Sequence, residues 1–326
     1  NEPQFVSHIR DVPYQIIHGG KDGDVSDFQG LRMYDRAADI RLAGQTPKSM
    51  VFVKDANHKN FNTVWAQTVD DYCCGGVIPP ADQQDTTRMY IHSFVQTYIR
   101  NRPEYIHFLD GTIPYPGAAT VSLDFQRPVA DVVAIDHHEV IAPVLHDKTT
   151  NAVGGGVSEN GIPDYDERLL AVSQPVPWSS YQGDTFAATL SWNANTDTYS
   201  TAIPPAVMNA LDPLVTTHLA FRVGQVHRVG GPNPANANQN FAVRLHDTDG
   251  DLSPMVWVRD FGTVFPPWET MEGGIKTVMG LVRIPLQVFT VNTSSAVDLT
   301  KLDRIDFVFS GVSAGEIAFD DIRFTK

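Results

Sequence analysis

The sequence predicts a two-part chain, α/β followed by all-β. Three observations predict it. Residues 1–102 alternate short apolar runs with stretches of helical periodicity. Residues 103–326 break into short alternating strands joined by Gly-, Pro- and Asn-rich connections. The charge changes between the two parts: 11 Lys and Arg against 12 Asp and Glu in the first, 13 against 26 in the second. A length of 326 residues suits about two domains, and the contrast places the boundary near Arg102-Pro103.

In the first part, Tyr14-Gln15-Ile16-Ile17 is a short apolar run closed by Gly19-Gly20, the pattern of a buried parallel strand. Leu31, Tyr34, Ala38 and Leu42 recur at helical spacing, and Gly44 and Pro47 stop the helix. Met50-Val51-Phe52-Val53 is the next strand. Pro79-Pro80 and Asp82 then open a helix whose apolar face is Tyr90, Ile91, Phe94, Val95, Tyr98 and Ile99. The order β-α-β-α implies a parallel sheet covered by helices. Two parallel strands need neighbours, so this part is expected to dock on the preceding portion of the same domain, as a separate chain or a missing segment.

In the second part, Val121-Ser122-Leu123-Asp124-Phe125, Phe241-Ala242-Val243-Arg244-Leu245, Met255-Val256-Trp257-Val258, Ile305/Phe307/Phe309 and Ile317/Phe319 all read as strands of a β-sandwich. The net charge of −14 argues against nucleic acid and anionic membrane surfaces as partners. No run of roughly 18 apolar residues predicts a membrane span. The two cysteines are adjacent, Cys73-Cys74. They read as an oxidised vicinal pair, two bridges to another segment, or two buried thiols.

Chemistry concentrates in two loops. His18-Gly19-Gly20-Lys21-Asp22-Gly23-Asp24-Val25 follows the first strand, and Asp55-Ala56-Asn57-His58-Lys59-Asn60-Phe61-Asn62 follows the second. A base in a Ser-His-Asp triad needs a carboxylate on its Nδ1. The loops would place an acid and a histidine at the carboxyl ends of neighbouring parallel strands, where such sheets bind ligands. Asp22 and Asp24 are the two candidate acids; the loop resembles the α/β-hydrolase pattern Gly-x-x-Asp-x-x-Val, which implies Asp22, three residues before Val25, as the acid and leaves Asp24 to cap or brace the loop.

Val12 to Trp65 resembles the final strands of α/β-hydrolases of the secreted esterase type, including polyester-hydrolase, cutinase-like lipase and dienelactone-hydrolase relatives. Asp22-Gly23-Asp24-Val25, Tyr34-Asp35-Arg36-Ala37 and Ala56-Asn57-His58 with Phe61-Asn62 and Trp65 carry the likeness. It implies that Asp22 is the triad acid and His58 the general base. In that fold the serine precedes the acid along the chain, so the nucleophile is expected upstream of residue 1 or on a companion chain. Gly311-Val312-Ser313-Ala314-Gly315 matches the G-x-S-x-G pattern, but strand-like sequence follows it. A hairpin turn is the better reading of Ser313.

The ending Gly315-Glu316-Ile317-Ala318-Phe319-Asp320-Asp321-Ile322-Arg323-Phe324 resembles galactose-binding-like jelly rolls attached to secreted hydrolases. The resemblance implies a glycan ligand and a structural Ca²⁺. Asp320 is the candidate ligand, with Asp136 or Glu139; carboxylates suit calcium. Asp247-Thr248-Asp249-Gly250-Asp251 reads as a solvated hairpin tip. His137 and His138 would point to opposite faces of a strand and share no metal. Trp178, Trp192, Trp257 and Trp268 suit a core better than a sugar platform.

The expected function is hydrolysis of carboxylic esters by a secreted or periplasmic serine hydrolase that needs no catalytic cofactor. An amide or peptide hydrolase like the X-prolyl dipeptidyl peptidase and cocaine-esterase group is the first alternative. A non-catalytic carbohydrate-binding module is the second.

Overall fold

A computed structural model describes residues 12–25, 29–36, 46–65, 75–138, 149–170, 186–211, 215–271, 274–291 and 297–326. The chain divides into two compact units. The first holds Asn1–Val129, Leu170–Thr185 and Pro267–Leu281; the second holds Ala130–Leu169, Phe186–Pro266 and Val282–Lys326. Cys73, Cys74, Glu139 and Trp178 lie outside the described residues. Among the described residues, no helix is long and apolar enough to cross a membrane.

The first unit is built on strands β1 (Tyr14–Gly19) and β2 (Lys48–Val53), which pair in parallel from Tyr14 opposite Lys48 to Gly19 opposite Val53. Helix α1 (Gln29–Arg36) lies between them in sequence, with Leu31 and Tyr34 buried. Helix α2 (Pro80–Phe94) continues into a wider turn at Val95–Ile99. A short helix α3 (Ile106–Leu109) and strand β3 (Val121–Gln126) follow, and the later segment of the unit adds the antiparallel pair Trp268–Glu269 and Ile275–Lys276.

Two sequence expectations change here. The compact unit runs past Arg102 to Val129, because Leu109 is fully buried in its core and β3 pairs antiparallel with β2, Val53 opposite Val121. Val121–Phe125 therefore joins the first sheet rather than the sandwich. It closes the edge that β2 would otherwise expose. The buried stripe of α2 is also different from the apolar face read in the sequence. It is Gln83, Thr86, Tyr90 and Ser93, spaced by three and four residues, while Ile91 is 50% exposed. Polar side chains can line that stripe because they are bonded: the Thr86 hydroxyl donates to the Asp82 carbonyl, and the Ser93 hydroxyl donates to the Met89 carbonyl.

The second unit is a β-sandwich. Its strands are β4 (Val132–Asp136), β5 (Val157–Asn160), β6 (Asp164–Leu169), β7 (Phe186–Trp192), β8 (Thr198–Ala202), β9 (His218–Gln225), β10 (Ala242–Asp247), β11 (Val256–Trp257), β12 (Gly280–Pro285), β13 (Leu302–Val308) and β14 (Gly315–Thr325). One sheet runs β11-β10-β13-β8-β5. The other runs β12-β9-β14-β7-β6, with β4 pairing the end of β14 beyond β7. The inner faces meet through aromatic rings. Phe307 of the first sheet touches Phe221 and Phe319 of the second at 5.3 and 5.4 Å, and Tyr199 meets Phe319 edge-on at 4.8 Å. Alternation along each strand puts these rings inward and polar side chains outward.

Ser313 lies in the connection from β13 to β14. The connection passes from one sheet to the other, so it is not a hairpin, and a strand rather than a helix follows it. The Asp247–Asp251 tip is a turn as expected. One Asp247 oxygen accepts from the N–H groups of Asp249 and Asp251, and the other accepts from Asp298.

A polar knot ties three strands of one sheet. His246 Nε2 lies 2.5 Å from Asp306 Oδ2, Ser200 donates to Oδ1 at 2.8 Å, and Arg244 reaches Oδ2 at 3.1 Å. Burial would raise the Asp306 carboxyl, but these partners outweigh it and hold the group well below the usual carboxylate range. A depressed folded-state pKa contributes stability above the unfolded value of about 3.9, and that contribution is lost as pH falls below it. Between about pH 5 and 2.5 the melting temperature of the wild type is expected to fall more steeply than that of Asp306→Asn, which starts lower at neutral pH. Calorimetry across that window checks both the sign and the convergence; parallel curves would contradict it.

Candidate active site

The Asp22 and His58 loops meet because the ends of β1 and β2 are laced together. Gly20 N–H donates to the Val53 carbonyl at 2.9 Å, and Lys21 N–H donates to the Ala56 carbonyl at 2.8 Å. Gly19 sits in the crossing. A Cβ there would lie 2.4 Å from the Ala56 oxygen, so a side chain would drive the loops apart. At the end of β2 the chain turns through Asp55 at a φ of 56°, a left-handed conformation that aspartate tolerates.

Within this frame Asp22 is 5% exposed. Its Oδ1 accepts from the N–H groups of Asp24 at 3.0 Å and Val25 at 2.7 Å. Its Oδ2 lies 3.0 Å from His58 Nδ1. The two N–H bonds hold Oδ1, leaving Oδ2 to the imidazole. The opposite ring nitrogen, Nε2, is 3.9 Å from Asp24 Oδ2. The two acids read from the sequence thus divide: Asp22 takes Nδ1 and Asp24 lies near Nε2 across a longer gap.

The His58 loop is held from two sides. Gln83 on α2 is fully buried; its Oε1 accepts from Asn57 N–H at 3.2 Å, and its Nε2 donates to the Asn57 carbonyl at 2.6 Å. A buried backbone segment with no sheet partner needs such a clamp. The Asn57 side chain accepts from Asn60 N–H, and Asn62 Oδ1 accepts from Val64 and Trp65 N–H. The last of these turns holds Trp65 over His58, ring centroids 5.3 Å apart and planes 13° from parallel. Gln83 was not visible as a site residue in the sequence, since a single glutamine 26 residues away carries no motif.

A cleft of about 490 Å³ opens beside the pair. His18, Asp22, His58, Phe61, Trp65 and Ile91 are among its walls. Thr87 also lines it, but its hydroxyl donates to the Gln83 carbonyl. Among the described residues, neither serine nor cysteine lines the cleft. The site pairs a partly exposed imidazole with a buried, oriented carboxylate beside an open cleft lined by both polar and apolar side chains. That arrangement can take up and return a proton.

The metal residues read from the sequence separate in the second unit. Asp320 Oδ2 lies 3.4 Å from Arg222, and its Oδ1 accepts the Asp321 N–H. Asp136 instead sits with His138 and Glu167, donor atoms within 4.8 Å of one another. His138 Nδ1 is 3.1 Å from Glu167 Oε1 and 3.5 Å from Asp136 Oδ2. Burial would push the imidazole down, but Asp136, Glu167 and Asp320 raise it to about 9. The sequence hid this group because Glu167 arrives from β6, 29 residues along. Trp192 and Trp268 are fully buried, as a core reading requires, and the Arg259 guanidinium lies over the Trp257 ring.

No family model matches the chain, and no curated protein is matched by its sequence. Among solved structures, a family 30 carbohydrate-binding module is similar at 13% identity and a TM-score of 0.36, over 60% of this chain and 87% of that one. The family 11 carbohydrate-binding module of cellulosomal cellulase Lic26A-Cel5E of Clostridium thermocellum is similar at 12% identity and 0.32, over 58% and 93%. A β-1,2-glucanase from Parabacteroides distasonis is similar at 14% and 0.31, over 60% of this chain and 25% of its own. At such scores the β-sandwich assignment rests on the strand topology described above.

Proposed function

We propose that the first unit carries the acid and base of a Ser-His-Asp relay and that the protein hydrolyses carboxylic esters. The observation that supports this reading is the 3.0 Å contact between buried Asp22 and His58 Nδ1 at the mouth of the cleft. Asp22 holds the proton on Nδ1, which leaves the Nε2 lone pair to receive a proton from the nucleophile. His58 then returns that proton to the departing alcohol. In this reading the serine comes from a segment outside these 326 residues, because its element precedes the acid in α/β-hydrolases. Backbone N–H groups of that segment would hold the oxyanion.

The test uses protein purified with every chain that accompanies it. A panel of p-nitrophenyl esters and prolyl anilides separates ester from amide chemistry. Ester turnover is expected, and His58→Ala is expected to abolish it without changing the circular dichroism. Full activity in His58→Ala would overturn the reading.

The second reading concerns the sandwich as a glycan-binding module without catalysis. It is supported by the separate two-sheet topology of the second unit. Mixed-linked β-glucan is the first ligand to titrate by calorimetry. Absence of heat with any of a set of β-glucans and agars would count against it.

A further inference from the structure

The jelly-roll resemblance implies calcium, and the residues do not fit it. Calcium takes about six to eight oxygen ligands. Asp320, its expected ligand, is engaged by Arg222 and by the Asp321 N–H. The group that does form places an imidazole nitrogen between two carboxylates.

We infer that Asp136, His138 and Glu167 form a three-ligand site for a zinc-class divalent cation. Asp136 ends β4, and just past it the chain turns through His138 at a φ of 49°, which brings the imidazole Nδ1 to 3.5 Å from Asp136 Oδ2. Glu167 comes across from β6. The donor separations of 3.1 and 3.5 Å bracket the edge of a tetrahedron with zinc bonds of about 2.0–2.1 Å, which is about 3.3–3.4 Å. Asp136 is 3% exposed, and its Oδ2 has no hydrogen-bond donor although it points at the group's centre. Its Oδ1 is already occupied by the His138 and Ala152 N–H groups, which aim Oδ2 inward. Tyr165 donates to Glu167 Oε1 at 2.9 Å, the oxygen that faces His138, and so fixes that carboxylate in place. With Asp320 balanced by Arg222, the two remaining carboxylates carry two negative charges. The ion would tie β4, which pairs β14 along the same edge as β7, to β6, which pairs the far side of β7.

The test begins with the full chain after chelation and desalting. Equilibrium dialysis against Zn²⁺ and against Ca²⁺, with elemental analysis, is expected to give one retained zinc per chain and no calcium. Thermal melts are expected to rise by several degrees with one equivalent of Zn²⁺, and Co²⁺ is expected to give the visible absorption of a tetrahedral N/O site. His138→Gln and Glu167→Gln are expected to lose all three effects. No retained zinc, calcium retained in its place, or an unchanged response in His138→Gln would each overturn the inference. If the variants do not fold, the zinc-calcium comparison and the cobalt spectrum of the wild type decide it.

Discussion

Replacing Asp22 by asparagine is expected to lower ester turnover by about four orders of magnitude while the fold survives. The size follows from which atoms the new amide can satisfy. Asp24 and Val25 N–H groups point at Oδ1 and require an acceptor there. The amide oxygen of asparagine would take that place, which turns its NH₂ toward His58 Nδ1. The imidazole would then accept at Nδ1 and carry its proton on Nε2, the tautomer that cannot act as a base. Steady-state kinetics on p-nitrophenyl acetate, with the serine-bearing segment present, measure the loss. A decrease of only a few-fold would mean that Asp24, 3.9 Å from Nε2, is the acid and that the loop rearranges in the working enzyme.

Phe307→Ala is expected to destabilise the sandwich by about 3–5 kcal/mol. Phe307 is 1% exposed and touches Phe221, Phe241, Phe319 and Tyr199, so its ring links both sheets. Its neighbours are themselves rings packed on further rings, as Tyr199 is on Phe319, and large stiff side chains cannot collapse into the space left. Urea denaturation with two probes would show the midpoint of the sandwich transition fall with its slope unchanged. A loss under about 1 kcal/mol would mean that the aromatic cluster relaxes freely.

What the sequence disclosed follows from how local each signal is. β1 and β2 announce themselves as apolar runs, and the loops that follow them hold Asp22 and His58, so the pair was readable at a separation of one helix. The alternation of Phe307, Phe319 and Val243 likewise marked the sandwich. Three things lay beyond that reach. β3 alternates as a sandwich strand would, and only pairing with β2 decides which sheet it joins. Gln83 matters through two hydrogen bonds to a backbone segment that the sequence cannot place beside it. Asp136 and His138 are neighbours in sequence, but Glu167 reaches them by a sheet register that no spacing rule encodes.

The central claim is that Asp22 and His58 serve a serine. A fluorophosphonate probe applied to the purified protein, followed by a denaturing gel and peptide mass mapping, tests it most directly. The account predicts one labelled serine, outside residues 1–326, whose labelling disappears in His58→Ala. Label on Ser313, or no label on any serine of the preparation, would contradict it.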